Sequence, residues 1–307
     1  NEVMLARMRS VPIFLVLASG CWSTAAASRR PAVSFRGGAR LDKWSSWLDE
    51  KTTRLKDGMP KVTSDPALGQ ALSLMKQRSL GSVEKAVSLL RGAHLRDPNN
   101  LEVKLELADA LNTVMRIKTN ANALVIEGTL DTPGNKRVWK TLGDEALPLA
   151  RDAYKGKPGD VRALAVYADS FMFSCSAKGI VKQALSGTAK EYKRVANELR
   201  KHPKWDGGVG LVFLGGFYNV APWPVGNKEL AKKYLCEAAA LAPTRRNLYY
   251  VGVNAYQMQE YTKAKTYFGK ALKAGCGSLT EGDFGDWLLE RSKEGLRLAD
   301  AALDRGL

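Results

Sequence analysis

Asn247-Leu248-Tyr249-Tyr250-Val251-Gly252-Val253-Asn254-Ala255-Tyr256, followed by Tyr261, Ala264, Phe268 and Ala271, is the stretch on which the fold turns. Ala264, Phe268 and Ala271 place small, large and small side chains at i, i+4 and i+7, on one helix face. The same pattern stands 33 residues earlier as Ala231, Leu235 and Ala238, and recurs at Ala86, Leu90, Ala93 and at Ala146, Ala150, Ala153. In three of the four copies a proline follows five residues after the last small residue: Pro98, Pro158 and Pro243. Small residues let helices approach closely, and the proline ends one helix before the chain turns into the next. Elsewhere beyond residue 41, Ala, Leu, Lys and Glu recur at helical spacing, with no run of alternating β-branched residues.

These residues resemble the tetratricopeptide repeat. Gly252 falls at that family's helix-A glycine, Tyr261 at its turn, and Ala264, Phe268 and Ala271 on its helix B, whereas Cys276 replaces the terminal proline. Weaker helix-A elements supply Leu107 and Ala108 within 101–117, and Tyr167 and Ala168 within 161–175. The resemblance implies an all-α superhelix, a tetratricopeptide-like α-solenoid of four to five helical hairpins. The single helical domain is read as 42–307, with a first helix at 42–56 and insertions near 118–138 and at 179–187. A closing helix over 284–304 presents Leu289, Leu296, Ala299 and Leu303 on one side, as a C-terminal capping helix should.

One segment has a narrower likeness. Trp205-Asp206-Gly207-Gly208, Leu214-Gly215-Gly216-Phe217-Tyr218 and Ala221-Pro222-Trp223-Pro224-Val225-Gly226-Asn227-Lys228-Glu229 lead directly into the helix with Ala231. This progression resembles the T components of tripartite ATP-independent periplasmic transporters over residues 205–273, with Asn227 in place of the usual Asp. The resemblance implies an all-helical accessory protein that oligomerises around apolar openings and partners a substrate-binding protein.

The 307 residues carry 47 Lys and Arg against 31 Asp and Glu, a formal charge of +16, and 45% are hydrophobic. That composition excludes a disordered tail, a disulfide scaffold and a multi-pass membrane protein. Residues 1–41 hold Arg7, Arg9, Arg29, Arg30, Arg36 and Arg40 against Glu2, so +5 belongs there and +11 to the remainder. Read from Met8, they form a targeting leader: Arg9, an apolar run over 11–18, then Ala25-Ala26-Ala27 as a signal-peptidase site. The Arg- and Ser-containing, acid-free segment 28–40 that follows is transit-peptide-like, and the two together resemble the bipartite leaders of algae with complex plastids. In those leaders an aromatic stands at the cleavage site, whereas Phe35 lies further on. Plastid delivery is the favoured reading. The alternative is a bacterial periplasmic lipoprotein, since Leu17-Ala18-Ser19-Gly20-Cys21 is similar to a lipoprotein box.

Two His and four scattered Cys leave little material for metal sites or His-based acid–base catalysis. Cys175, Cys236 and Cys276 have no C-x-x-C spacing, and His94 and His202 stand near helix ends, where a cation suits the dipole. The glycines at 207, 208, 210, 215 and 216 lack the register and preceding strand of a dinucleotide fingerprint and read as close helix packing. No phosphate loop, H-E-x-x-H or nucleophile elbow occurs, and no catalytic residues, cofactor site or metal site are expected.

The inner surface of the superhelix carries the functional expectation. If helix A lines it, its positions are Ala165, Asp169, Met172 and Phe173, then Phe213, Phe217 and Val220, then Tyr249, Val253 and Tyr256, with Trp205, Tyr218 and Trp223 shaping the adjoining loop. The candidate partner surface is therefore Met172, Phe173, Phe213, Phe217, Tyr218, Trp223, Tyr249 and Tyr256. A groove for an apolar peptide, subunit or small molecule and an ordinary buried core are both open readings of these side chains. Basic clusters such as Lys228-Lys232-Lys233 and Lys263-Lys265-Lys270-Lys273 alternate with acids as a solvated outer face does, without a nucleic-acid motif. An acidic protein or an anionic lipid surface is their minority reading. The functional expectation is a non-enzymatic scaffold or assembly subunit with protein partners, and alternatively a ligand-holding accessory of a solute transport system.

Overall fold

Capping side chains start eight of the twelve described helices, two of them with a proline in the first turn. Asp65 caps the first helix through Ala67 N at 2.9 Å, with Pro66 in the opening turn. Asn100 caps Glu102 and Val103, Asp160 caps Arg162 and Ala163, Asn227 caps Leu230, and Thr244 caps Asn247. Pro98, Pro158 and Pro243 all fall in the short links between successive hairpins, as their spacing predicts.

The computed structural model describes residues 65–179 and 188–306. The leader, the helix expected at 42–56 and the segment 180–187 lie outside the described residues. Among those described are twelve α-helices and no strand, apart from one isolated bridge between Val125 and Gly128. The helices are α1 (Pro66–Lys76), α2 (Leu80–Arg96), α3 (Leu101–Thr119), α4 (Pro133–Gly156), α5 (Val161–Lys178) and α6 (Thr188–Arg200). They continue as α7 (Val209–Val220), α8 (Lys228–Leu241), α9 (Arg245–Gln257), α10 (Tyr261–Lys273), the short α11 (Leu279–Gly282) and α12 (Gly285–Asp304). The first ten pair as five successive hairpins and α12 packs on the last of them, an all-α tetratricopeptide-like superhelix with a C-terminal cap. None of these helices is long and apolar enough to cross a membrane.

The small–large–small triplets are the packing code of the even-numbered helices. All twelve triplet residues are buried on α2, α4, α8 and α10. Gly252 on α9 lies so close to α10 that an added Cβ would stand 2.7 Å from the Phe268 ring, and Gly215 on α7 faces Leu235 of α8 in the same way. The sequence reading of α12 needs a correction. Its buried stripe is Leu288, Ser292, Gly295, Ala299 and Ala302, while Leu289, Leu296 and Leu303 are only half-buried. Gly295 fits that rotation, because it brings the α12 backbone against the Phe268 ring as well.

The segment at 118–138 connects distant parts of the chain. Leu124 and Ala123 enter the core built by α7 to α12. Gln257 donates to the carbonyls of Val125 and Ile126 at 3.0 and 3.1 Å, and Arg291 holds Glu127 at 2.7 Å. A second core, around α1 to α6, contains Trp139 and Phe173.

Candidate functional site

Between the two cores lies a cavity of about 170 Å³. Its walls come from α5 (Met172), α6 (Tyr192), α7 (Val212, Phe213, Gly216, Phe217, Val220), α9 (Tyr250), Leu124 and Phe284. The Tyr192 ring stacks on Phe217 at 5.5 Å and meets the edge of Phe213 at 6.0 Å, which fixes the aromatic wall. Gly216 presents open space: a Cβ there would meet no atom within 4 Å. Of the glycines expected to serve close packing, Gly210 and Gly215 do so, and Gly216 instead faces the cavity.

Of the candidate surface residues, the structure gathers Met172, Phe213 and Phe217 around this cavity, with Asp169 and Val220 from the same helix positions. The others lie elsewhere. Phe173 is fully buried, with its ring 6.5 Å from that of Trp139. Tyr249 is fully buried between Phe268 and Trp287, and Val253 is core as well. On α9 the cavity-facing line is Arg246 and Tyr250, one position round from the one expected, because Gly252 turns its neighbours Tyr249 and Val253 toward α10. Tyr218 stacks on Tyr234 outside the cavity, and Tyr256 meets Tyr261 edge-on at the far end of the hairpin. Trp223 is 91% exposed, and Trp205 and Ala165 line a smaller neighbouring cavity of about 80 Å³.

The floor shared by the two cavities is charged, and sequence reading did not anticipate it. Arg116 from α3 donates through Nη1 to Asp169 at 2.5 Å, through Nε to Asp283 at 2.8 Å and through Nη2 to Thr113 at 2.7 Å, with Asp109 at 3.5 Å. Arg246 donates to the Asp206 carbonyl at 2.7 Å, its carboxylate at 3.2 Å and Asn247 at 3.2 Å, while Glu281 accepts from its backbone N–H at 2.7 Å. Burial opposes the charge of Arg116, but the fields of Asp169, Asp283 and Asp109 more than reverse that, and its pKa is raised. Arg246 is raised likewise, burial being outweighed chiefly by Asp206 and Glu281. Burial pushes Asp169 up to about 6 despite the opposing pull of Arg116, and the neighbouring Asp206 and Asp109 add to the rise. Burial also raises Tyr192 and Tyr250, and holds the Cys175 thiol up at about 11.

A local signal for this floor did exist. Arg245 and Arg246 open α9, where the helix dipole disfavours cations, so an acidic partner was required from elsewhere. Asp206 is that partner, in a left-handed backbone conformation (φ 43°) and also accepting from the Ser278 hydroxyl. No disulfide joins Cys175, Cys236 and Cys276, and no three His, Cys, Asp or Glu side chains converge to hold a metal among the described residues.

No family model matches the sequence, and no curated protein matches it. Among solved structures, a thermophilic tetratricopeptide-repeat protein of Thermus thermophilus is similar with a TM-score of 0.50 at 17% identity, over 75% of this chain and 97% of that one. At that identity the likeness concerns the fold alone. The T-component likeness therefore stands only on the residues of 205–273 that carry it. Five hairpins closed by a packed terminal helix, together with that neighbour, give this chain the tetratricopeptide-like superhelical fold.

Proposed function

We propose that this is a non-enzymatic binding protein, a scaffold or assembly subunit that holds a protein partner by taking an apolar group of that partner into the helix-A cavity. The single observation that carries the reading is the gathering of Met172, Phe213, Phe217 and Val220, all half-buried, around open space of about 170 Å³ on the inner side of a helical-repeat fold. Well-packed cores rarely leave voids of that size, and a dry cavity of roughly 150 Å³ accommodates a benzene-sized group. Some lysines on the outer faces are matched by acids, as in Lys232 with Glu260 and Lys265 with Asp300, and the remainder would orient a partner of opposite charge.

The test is affinity purification of tagged protein from its own host. The wild type is expected to bring down a defined partner, and Phe217→Asp and Gly216→Leu are expected to lose it while keeping the helical circular dichroism and cooperative melting of the wild type. Unchanged recovery with both variants would remove the cavity from the function.

A further inference from the structure

The acidic character of the cavity floor says what kind of group the site takes, an inference that rests on the cavity being the binding site. Both guanidiniums there are already committed. Every nitrogen of the Arg116 and Arg246 forks donates within the fold, and each residue is 4% exposed. Two of the lining carboxylates remain partly open to an occupant: the Asp169 side chain keeps 18% exposure and that of Asp206 keeps 10%. Asp169 uses only Oδ2, toward Arg116, and no described residue donates to its Oδ1. Across the whole charged layer, Asp109, Asp169, Asp206, Asp283, Glu106 and Glu281 outnumber Arg78, Arg116, Arg162 and Arg246. An anionic group entering the cavity would meet that excess of acid, and both guanidiniums are nearly closed to it by burial. A cation would supply the missing donor to Asp169 and lie beside Tyr192, Phe213 and Phe217, which line the same cavity.

We infer that the cavity binds an ammonium group carried on an apolar stem of about ring size, with Asp169 receiving the ammonium and the α5–α7 side chains holding the stem. A free amphipathic amine and a basic side chain of a protein partner offer the same chemistry. The charged groups facing Asp169 are Arg116 and Asp109 from α3, Asp206 from the turn before α7 and Arg246 from α9, with the Tyr192 hydroxyl on α6 and Asp283 behind Arg116. The first four act on a carboxylate that takes up its proton near pH 6, so affinity for a cation is to fall as pH drops through that range.

The experiment titrates the full chain with three probes that share a phenylethyl stem, 2-phenylethylammonium, 2-phenylethanol and 3-phenylpropanoate, by calorimetry at pH 7.5 and pH 5. The ammonium is expected to bind roughly 10- to 100-fold more tightly than the alcohol at pH 7.5, the range of a charge-assisted hydrogen bond. That preference should shrink at pH 5 and disappear in Asp169→Asn, while Gly216→Leu should block all three. Native mass spectrometry of protein from its host separates the two sources: a retained amine identifies a free ligand, and its absence alongside a copurifying partner identifies a side chain. Equal binding of ammonium and alcohol overturns the inference and leaves the cavity reading standing. Binding by none of the probes also overturns it, and only an undiminished partner with both Phe217→Asp and Gly216→Leu would remove the cavity reading as well.

Discussion

Arg78 and Asp283 are 205 positions apart and meet as a two-pronged ion pair, Arg78 Nε donating to Asp283 Oδ1 at 2.8 Å and its Nη2 to Oδ2. Arg78 sits in the turn between α1 and α2 with a positive φ of 53°, and Asp283 directly before α12, so the first hairpin is tied to the cap. The Asp283 side chain is fully buried and also receives Arg116 Nε at 2.8 Å. The superhelix thus closes on itself through one carboxylate, and the cavity lies inside that closure.

Removing that carboxylate leaves Arg78 without its partner and takes one of three acids from the buried Arg116. Asp283→Ala is expected to cost about 3–5 kcal/mol in urea unfolding, the usual penalty for breaking a buried pair. Arg78→Ala, at a site 20% exposed, should cost less. A double-mutant cycle between the two should give a coupling of about 1 kcal/mol or more, and a coupling near zero would mean that the closure contributes nothing.

Two adjacent glycines should respond in opposite directions. At Gly216 an added Cβ meets nothing, so Gly216→Ala should stabilise by about 0.4–1 kcal/mol through helix propensity. At Gly215 the Cβ would lie 2.5 Å from Leu235 Cδ2 and 2.6 Å from its Cγ, and Gly215→Ala should destabilise by about 1–3 kcal/mol. Thermal melts of the pair suffice, and equal effects would contradict the placement of α7.

Gly252 of α9 and Gly295 of α12 both abut the Cε1–Cζ part of the Phe268 ring, each 2.7 Å from the ring once a Cβ is added. Gly252→Ala and Gly295→Ala should each destabilise by about 1–3 kcal/mol. The double variant should cost less than their sum, because one displacement of the ring makes room for both. Strict additivity in chemical denaturation would show that the two helices do not share that ring.

Asp169 makes stability depend on pH in a defined sense. Its folded pKa of about 6 lies above the ordinary 3.8, so the folded state binds the proton more tightly. The stabilising contribution is complete below pH 3.8 and is lost as pH rises through about 6. Relative to Asp169→Asn, the wild type should lose stability from about pH 4 to pH 6 by up to about 1.4 kcal/mol per unit. A flat difference between the two curves would place the carboxyl in an ordinary environment.

Processing of the N-terminus tests the leader. Edman sequencing of mature protein is expected to begin beyond Ala27, or to be blocked at an acylated Cys21 under the lipoprotein alternative. An intact sequence from Met8 would eliminate both routes.

The helices were legible because their determinants are local. Capping by Asn100, Asp160 and Thr244, termination at Pro98, Pro158 and Pro243, and the Ala264, Phe268, Ala271 face all act within a few residues of themselves. The candidate site was legible in part. Met172, Phe213 and Phe217 were picked for lining an inner helix face and do meet at the cavity, whereas Phe173 and Tyr249, chosen on the same ground, are core. Aromatic character does not distinguish the two cases: Phe217 has Tyr192 and open space beside it, and Tyr249 has Phe268 and Trp287.

By itself, then, the sequence determined an all-helical repeat chain with tight hairpins, since periodicity, capping and helix-breaking proline are short-range effects that a linear pattern records. Only the tertiary structure decided which side of each helix faces the core, and that Arg78, Arg116, Asp169, Asp206, Arg246 and Asp283 form one charged floor. Those groups come from different hairpins and their electrostatics depend on distance and burial, neither of which exists until the superhelix has closed.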